Sequence, residues 1–94
     1  TDSGRPVRRL AVISGAGGSL FDEAIAVGAD CLLTGEANHH HACDAARLGL
    51  SLFAAGHYAT EFPVTEAVAE RLRAACPELE VLVSTANRDP YTYI

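Results

Sequence analysis

The residues of this chain best suited to chemistry are His57 and Glu61, in the segment Gly56-His57-Tyr58-Ala59-Thr60-Glu61. They stand four apart where an apolar run gives way to a helical pattern, so a single turn would bring imidazole and carboxylate to one side. A nitrogen and an oxygen donor placed together can share a divalent metal ion. The plain alternative is that His57 only hydrogen-bonds its loop and Glu61 only favours a helix N-terminus. For an isolated pair that alternative is the commoner one.

Two further segments carry polar groups of interest. Thr34-Gly35-Glu36-Ala37-Asn38-His39-His40-His41 concentrates three histidines and Glu36 at a helix start. Their nitrogens could serve as ligands, proton shuttles or substrate donors near neutral pH. A protonated imidazole opposes the helix dipole there, which favours a role for one of them, while Asp44 could simply pair with His40 across one turn. The segment Gly15-Ala16-Gly17-Gly18-Ser19 follows an apolar run and opens a helix, so the amides of Gly15, Gly17, Gly18 and Ser19 could hold a phosphate or carboxylate. Leu20 stands where a dinucleotide fingerprint would want glycine, and no Gly-Lys-Ser/Thr follows, so both common nucleotide motifs fail. A tight turn that needs small residues explains the same glycines equally well.

These three segments need elements to position them. Apolar runs and helical patterns alternate along the chain, with glycine at most of the joints. Strands are expected at Leu10–Ser14, Cys31–Leu33, Leu50–Ala55 and Glu80–Ser84. Helices are expected at Ser19–Val27, with Ser19 as N-cap, at Asn38–Leu48, and at Pro63–Ala75, where Val64, Val68 and Leu72 form one stripe. Gly28 and Gly49 mark helix ends, and Pro77 forbids continuation of the last helix. The order β-α-β-α-β-α-β predicts an α/β fold of three layers, a mainly parallel sheet of about four strands with helices on both faces. In such a sheet the three polar segments leave strands at one edge, where ligands bind.

Composition limits the function classes. The residues 1–94 suffice for one domain with a single core, and an apolar share of 49% sets the chain among globular rather than disordered sequences. A net charge of -5, with no lysine and scattered arginines, argues against a nucleic-acid partner. Arg5, Arg8 and Arg9 form the one basic cluster, read as a solvated strand entry. Cys31, Cys43 and Cys76 are odd in number and sit where small apolar residues would serve, which predicts reduced thiols and a cytoplasmic setting. No apolar run approaches the ~20 residues of a membrane span. The chain begins at Thr1 and contains no methionine, which points to a processed product or a piece cut from a longer protein.

Taken in order, VISGAGGSL, GADCLLTGEANHHHA, LFAAGHYATEFP and VSTANRDPYTY resemble the C-terminal part of the NGG-one-interacting-factor-three-like family, whose members are often labelled GTP cyclohydrolase I type 2 homologues. The resemblance spans nearly the whole chain, and GHYATE is its most specific part. It implies two divalent metal ions per subunit, of zinc, manganese, iron or magnesium type. Residues matching His57 and Glu61 would hold them, together with a His-His pair and an Asp from the family's N-terminal half. On this view Glu61 bridges the metals, His57 binds one of them, and a metal-bridged water serves a hydrolase acting on a nucleotide or phosphorylated small molecule. His40 matches the histidine of a Thr-Gly-Asp-x-x-x-His pattern and would orient substrate or transfer a proton. Glu36, Asn38 and His41 depart from the family's usual Asp, Lys and acidic residue. The resemblance also implies a ring-like homo-oligomer, commonly a hexamer. Two other readings stay open: a non-catalytic metal-binding or partner-binding scaffold, and an anion-binding module built on Gly15 to Ser19.

Overall fold

Short apolar runs without room for a helical turn can satisfy their backbone only by pairing, and three of them do so here. In the computed structural model, which describes residues 1–94, β1 (Leu10–Ile13), β2 (Cys31–Thr34) and β3 (Ser51–Ala54) form a parallel sheet in the order β1-β2-β3. Leu10, Cys31 and Ser51 stand in one row of the register, and Ile13, Thr34 and Ala54 in another. Because all strands run the same way, the segments leaving Ile13, Thr34 and Ala54 emerge at a single edge.

The connections between strands are helical, as parallel neighbours require. A 3-10 turn at Gly18–Leu20 leads into α1 (Phe21–Ala26), and α2 spans His39–Arg47. The Asn38 side chain caps α2 by accepting from the His41 amide at 2.9 Å. Ser19, expected as a cap, lies inside the 3-10 turn, and neither that turn nor α1 has a side-chain cap. The glycines following α1 and α2, Gly28 and Gly49, take positive φ as helix-ending residues do.

α1 and α2 cover one sheet face, where Phe21, Ala24, Leu32, Ala45, Leu50 and Leu52 form the core. The opposite face, expected to carry its own helical layer, leaves Leu10, Val12 and Phe53 more than half exposed. Near its lower end the N-terminal segment lies against β3: Leu52 and Thr1 exchange backbone bonds, and Ser3 reaches Ser51 at 2.9 Å. The expected basic strand entry is exposed, with the Arg8 and Arg9 amides donating to Asp30 at 2.6 and 2.8 Å. Those two bonds hold the Asp30 carboxyl below its ordinary pKa.

Beyond β3 the chain runs through α3 (His57–Glu61) into α4 (Pro63–Ala75). Phe62, between them, has helical dihedrals, so the two would form one helix but for Pro63, which has no amide hydrogen to continue the ladder. α4 continues on from α3, and its stripe Val64, Val68 and Leu72 stays about half exposed. Here the four-strand expectation is corrected. Val81 and Val83 turn toward that stripe, Leu82 is 79% exposed, and Arg73 holds the Val81 carbonyl at 2.9 Å. The segment follows α4 away from the sheet and meets no strand edge, so the sheet has three strands.

The radius of gyration is 16.6 Å, against about 12 Å for a compact domain of this length. α4 and the tail therefore extend from a small core instead of closing over it. The three cysteines are free. No helix is long and apolar enough to cross a membrane.

Candidate functional site

The three segments at the carboxyl edge are joined by main-chain hydrogen bonds before any side chain is considered. Glu36 donates its amide to the Gly15 carbonyl at 2.9 Å, Gly18 donates to the Glu36 carbonyl at 3.0 Å, and Gly56 donates to the Gly35 carbonyl at 2.9 Å. Two threonine hydroxyls add to this frame. Thr34, fully buried, donates to the Gly15 carbonyl at 3.1 Å and accepts from the Gly17 amide at 3.0 Å. Thr60 accepts from the Gly15 amide at 3.1 Å, and its oxygen lies 3.0 Å from both the Gly56 and His57 carbonyls. Glu36, His57 and Glu61 are thus mounted on loops that fix one another.

The expected convergence of His57 and Glu61 is present: His57 Nε2 lies 3.1 Å from Glu61 Oε2, across one turn of α3. A third group joins them, since His57 Nδ1 lies 3.2 Å from Glu36 Oε2. The imidazole is held between two carboxylates, with all three side chains about half exposed. The hydrogen bond to Glu36 is the main cause that raises the His57 pKa above its ordinary value, and the charges of both carboxylates add to it. Partial burial acts in the opposite direction without reversing the shift.

Gly15 enables this arrangement. Its φ is +64°, and a Cβ there would run into Glu61 Oε1 while standing 3.4 Å from His57 Nε2. Only a residue without a side chain lets the first loop pass beneath the carboxylate. The same residues bear on the expected anion cradle. Gly15, Gly17 and Gly18 are buried, and their amides donate to Thr60, to Thr34 and the Gly15 carbonyl, and to the Glu36 carbonyl. Those three glycine amides are already engaged within the protein, where they join the first loop to the other two, and only Ser19 is exposed.

The histidine cluster divides. His40 is exposed, meets the ring of His39 edge-on at 5.9 Å, and makes no hydrogen bond or ion pair with His57 or Glu61. His39 contacts Cys43 Sγ at 3.5 Å, and His41 lies against Phe21, its ring centroid 6.0 Å away. Asp44 pairs with Arg47 at 3.4 Å and not with His40.

Beside the triad, Glu36 and His57 line a cleft of about 720 Å³ whose far wall is the tail segment from Asp89 to Tyr93. The tail is tied down by Tyr58, which stacks on Phe62 at 5.1 Å and donates to the Asn87 carbonyl at 3.2 Å. Tyr93 donates to Asp89 at 3.1 Å, which raises the pKa of the phenol. Sequence reasoning noted Glu36 as a loop carboxylate standing where the resembled family has Asp, gave it no role of its own, and did not foresee the roles of Thr60, Thr34 or the tail. A carboxylate two residues past a parallel strand was the available signal for Glu36. Nothing in the sequence signalled the threonines.

As a metal site, His57 and Glu61 offer one nitrogen and one carboxylate at a half-exposed position, a donor pair suited to divalent cations. No group of three or more His, Cys, Asp or Glu in this chain is placed to hold a metal ion by itself. Further donors would have to come from outside these residues.

A family model described as Duf34/NIF3 (NGG1p interacting factor 3) matches residues 1–90. A GTP cyclohydrolase 1 type 2 homolog of Clostridium acetobutylicum is 32% identical over 96 residues, covering 98% of this chain and 36% of that protein. One from Streptomyces coelicolor is 41% identical over 91 residues, covering 92% of this chain and 32% of that protein. This chain therefore spans about a third of the length of these curated relatives. Among solved structures, a Staphylococcus aureus hypothetical protein superposes with a TM-score of 0.80 at 33% identity, over 94% of this chain and 30% of that one. A Bacillus cereus protein related to NIF3 gives 0.71 at 30% identity, over 94% and 25%.

Proposed function

Because this chain belongs to the Duf34/NIF3 (NGG1p interacting factor 3) family, we propose that it supplies His57 and Glu61 to a dinuclear divalent-metal centre of a metal-dependent hydrolase. The observation that carries the reading is the 3.1 Å approach of His57 Nε2 to Glu61 Oε2 at the open carboxyl edge of the sheet. Side chains without a shared task gain little from holding that geometry half exposed, whereas a ligand pair requires it.

Metal of this kind lowers the pKa of a coordinated water and polarises a substrate oxygen, which suits hydrolysis of a ring or an ester. The chain's own residues have narrower parts. Glu61 would offer its carboxylate and His57 its Nε2 as donors to the metal. Thr60 anchors the turn that carries both, and Gly15 leaves room for the carboxylate to lie across the first loop. The cleft bounded by Glu36, His57 and the Asp89–Tyr93 segment would receive the substrate next to that edge. The name GTP cyclohydrolase 1 type 2 homolog carried by the relatives suggests a nucleotide as substrate class.

The test is metal analysis of the full polypeptide that the gene encodes, beside His57→Ala and Glu61→Ala. About two metal ions per subunit are expected in the parent, with a sharp loss in both variants. Full retention in both variants would remove these residues from the site. Metal loss without any effect on nucleotide or phosphoester turnover would favour a metal-binding scaffold over an enzyme.

A further inference from the structure

The candidate site leaves one close contact unexplained. Glu36 stands at the carboxyl end of β2, on a different loop from His57, yet its carboxylate reaches His57 Nδ1 at 3.2 Å. Glu61 occupies the other ring nitrogen, Nε2, at 3.1 Å. The two carboxylates therefore engage different ring nitrogens, and a cation held by Nε2 and Glu61 would leave the contact between Nδ1 and Glu36 in place.

A neutral imidazole has one nitrogen lone pair to offer a metal, and the partner of the other nitrogen decides which one is free. A carboxylate accepting from Nδ1–H leaves the Nε2 lone pair unprotonated and fixes the plane of the ring. The main chain of Glu36 belongs to the loop frame, through its amide to Gly15 and its carbonyl to Gly18. Its side chain takes no part in that frame and makes its one close polar contact with His57.

From this we propose that Glu36 is the positioning residue of the metal centre: it accepts from His57 Nδ1–H and so commits Nε2 to the metal. The inference rests on the reading of His57 and Glu61 as ligands and adds a residue that binds no metal itself. It also gives a role to a carboxylate at the edge that the coordination scheme does not use.

Zinc alone is the probe, titrated against a chromophoric chelator into the full polypeptide and its Glu36→Ala, Glu36→Gln, His57→Ala and Glu61→Ala variants. Removing such a partner lowers metal affinity about 10- to 100-fold, so Glu36→Ala should fall in that range. Glu36→Gln keeps an oxygen acceptor and should recover most of the loss. Long-range proton–nitrogen spectra of the zinc-loaded protein should show His57 bound through Nε2 with Nδ1 protonated. Because the backbone bonds of Glu36 survive either substitution, both variants are expected to fold, and far-ultraviolet dichroism checks this. Unchanged zinc affinity in Glu36→Ala, or coordination through Nδ1, overturns the inference. If His57→Ala and Glu61→Ala also bind zinc as the parent does, the ligand reading itself fails. If only those two lose zinc, that reading stands and the positioning role of Glu36 falls.

Discussion

Gly15→Ala separates the shape of the site from its chemistry. The substitution adds one methyl group at a residue whose φ is +64°, a conformation that costs a residue with a side chain roughly 1–2 kcal/mol. The new methyl also meets Glu61 Oε1, with Cδ at 3.2 Å. A carboxylate is the far end of a flexible side chain, so Glu61 should swing aside at little steric cost and abandon its contact with His57. For a domain of this size each kcal/mol moves the melting temperature by roughly 4–8 °C, which gives a fall of about 4–16 °C. Gly28→Ala is the control: its φ of +77° imposes similar strain, but its neighbour is Arg9 Nη1 at 3.1 Å, far from the site in the sequence of loops. Melting followed by circular dichroism should report comparable losses for both variants. Zinc titration should report a loss for Gly15→Ala alone. If Gly15→Ala binds zinc like the parent, or both variants lose it equally, then the close approach of the first loop does not place Glu61.

Other outcomes follow from the same geometry. Thr60→Val leaves the Gly15 amide without its acceptor and should cost roughly 1–3 kcal/mol in urea unfolding, with Thr60→Ser restoring most of it. For the metal-free chain, the raised His57 pKa sets the sign of a pH effect. The contribution is full below the ordinary value of 6.5 and is lost as pH rises through the higher folded-state value. The stability advantage of the parent over His57→Ala, measured with chelator present, should therefore shrink as the solution turns alkaline; an advantage that grows would contradict the assigned ion pairs. Leu32→Ala removes a side chain with no exposure from the middle strand and should cost roughly 2–5 kcal/mol in the same unfolding assay.

Much of this molecule is local in origin. Leu10 to Ile13, Cys31 to Thr34 and Ser51 to Ala54 are apolar runs too short for helices, and the bounds of α4 follow from Pro63 and from the end of its periodic pattern before Pro77. His57 and Glu61 were legible as a pair because both lie on one helical turn, where spacing alone sets proximity. Membership of the Duf34/NIF3 family was legible for a related reason, since GHYATE and the segments around it keep their order in the chain.

Other features depended on which segments meet across the fold. The segment Glu80–Ser84 has the composition of a strand, but a strand exists only where another backbone edge offers hydrogen bonds, and α4 leads this one elsewhere. The glycine turn had the composition of an anion cradle, but whether its amides are free depended on Thr34, Thr60 and Glu36, which arrive from other loops. Glu36 and His57 are separated by an entire strand and its connections, so no spacing rule links them. The residue types and the single-turn pair were determined by sequence alone. The third member of the triad, and the burial of the glycines, were decided by the parallel sheet, which brings three distant chain segments to one edge and lets their hydrogen bonds choose partners.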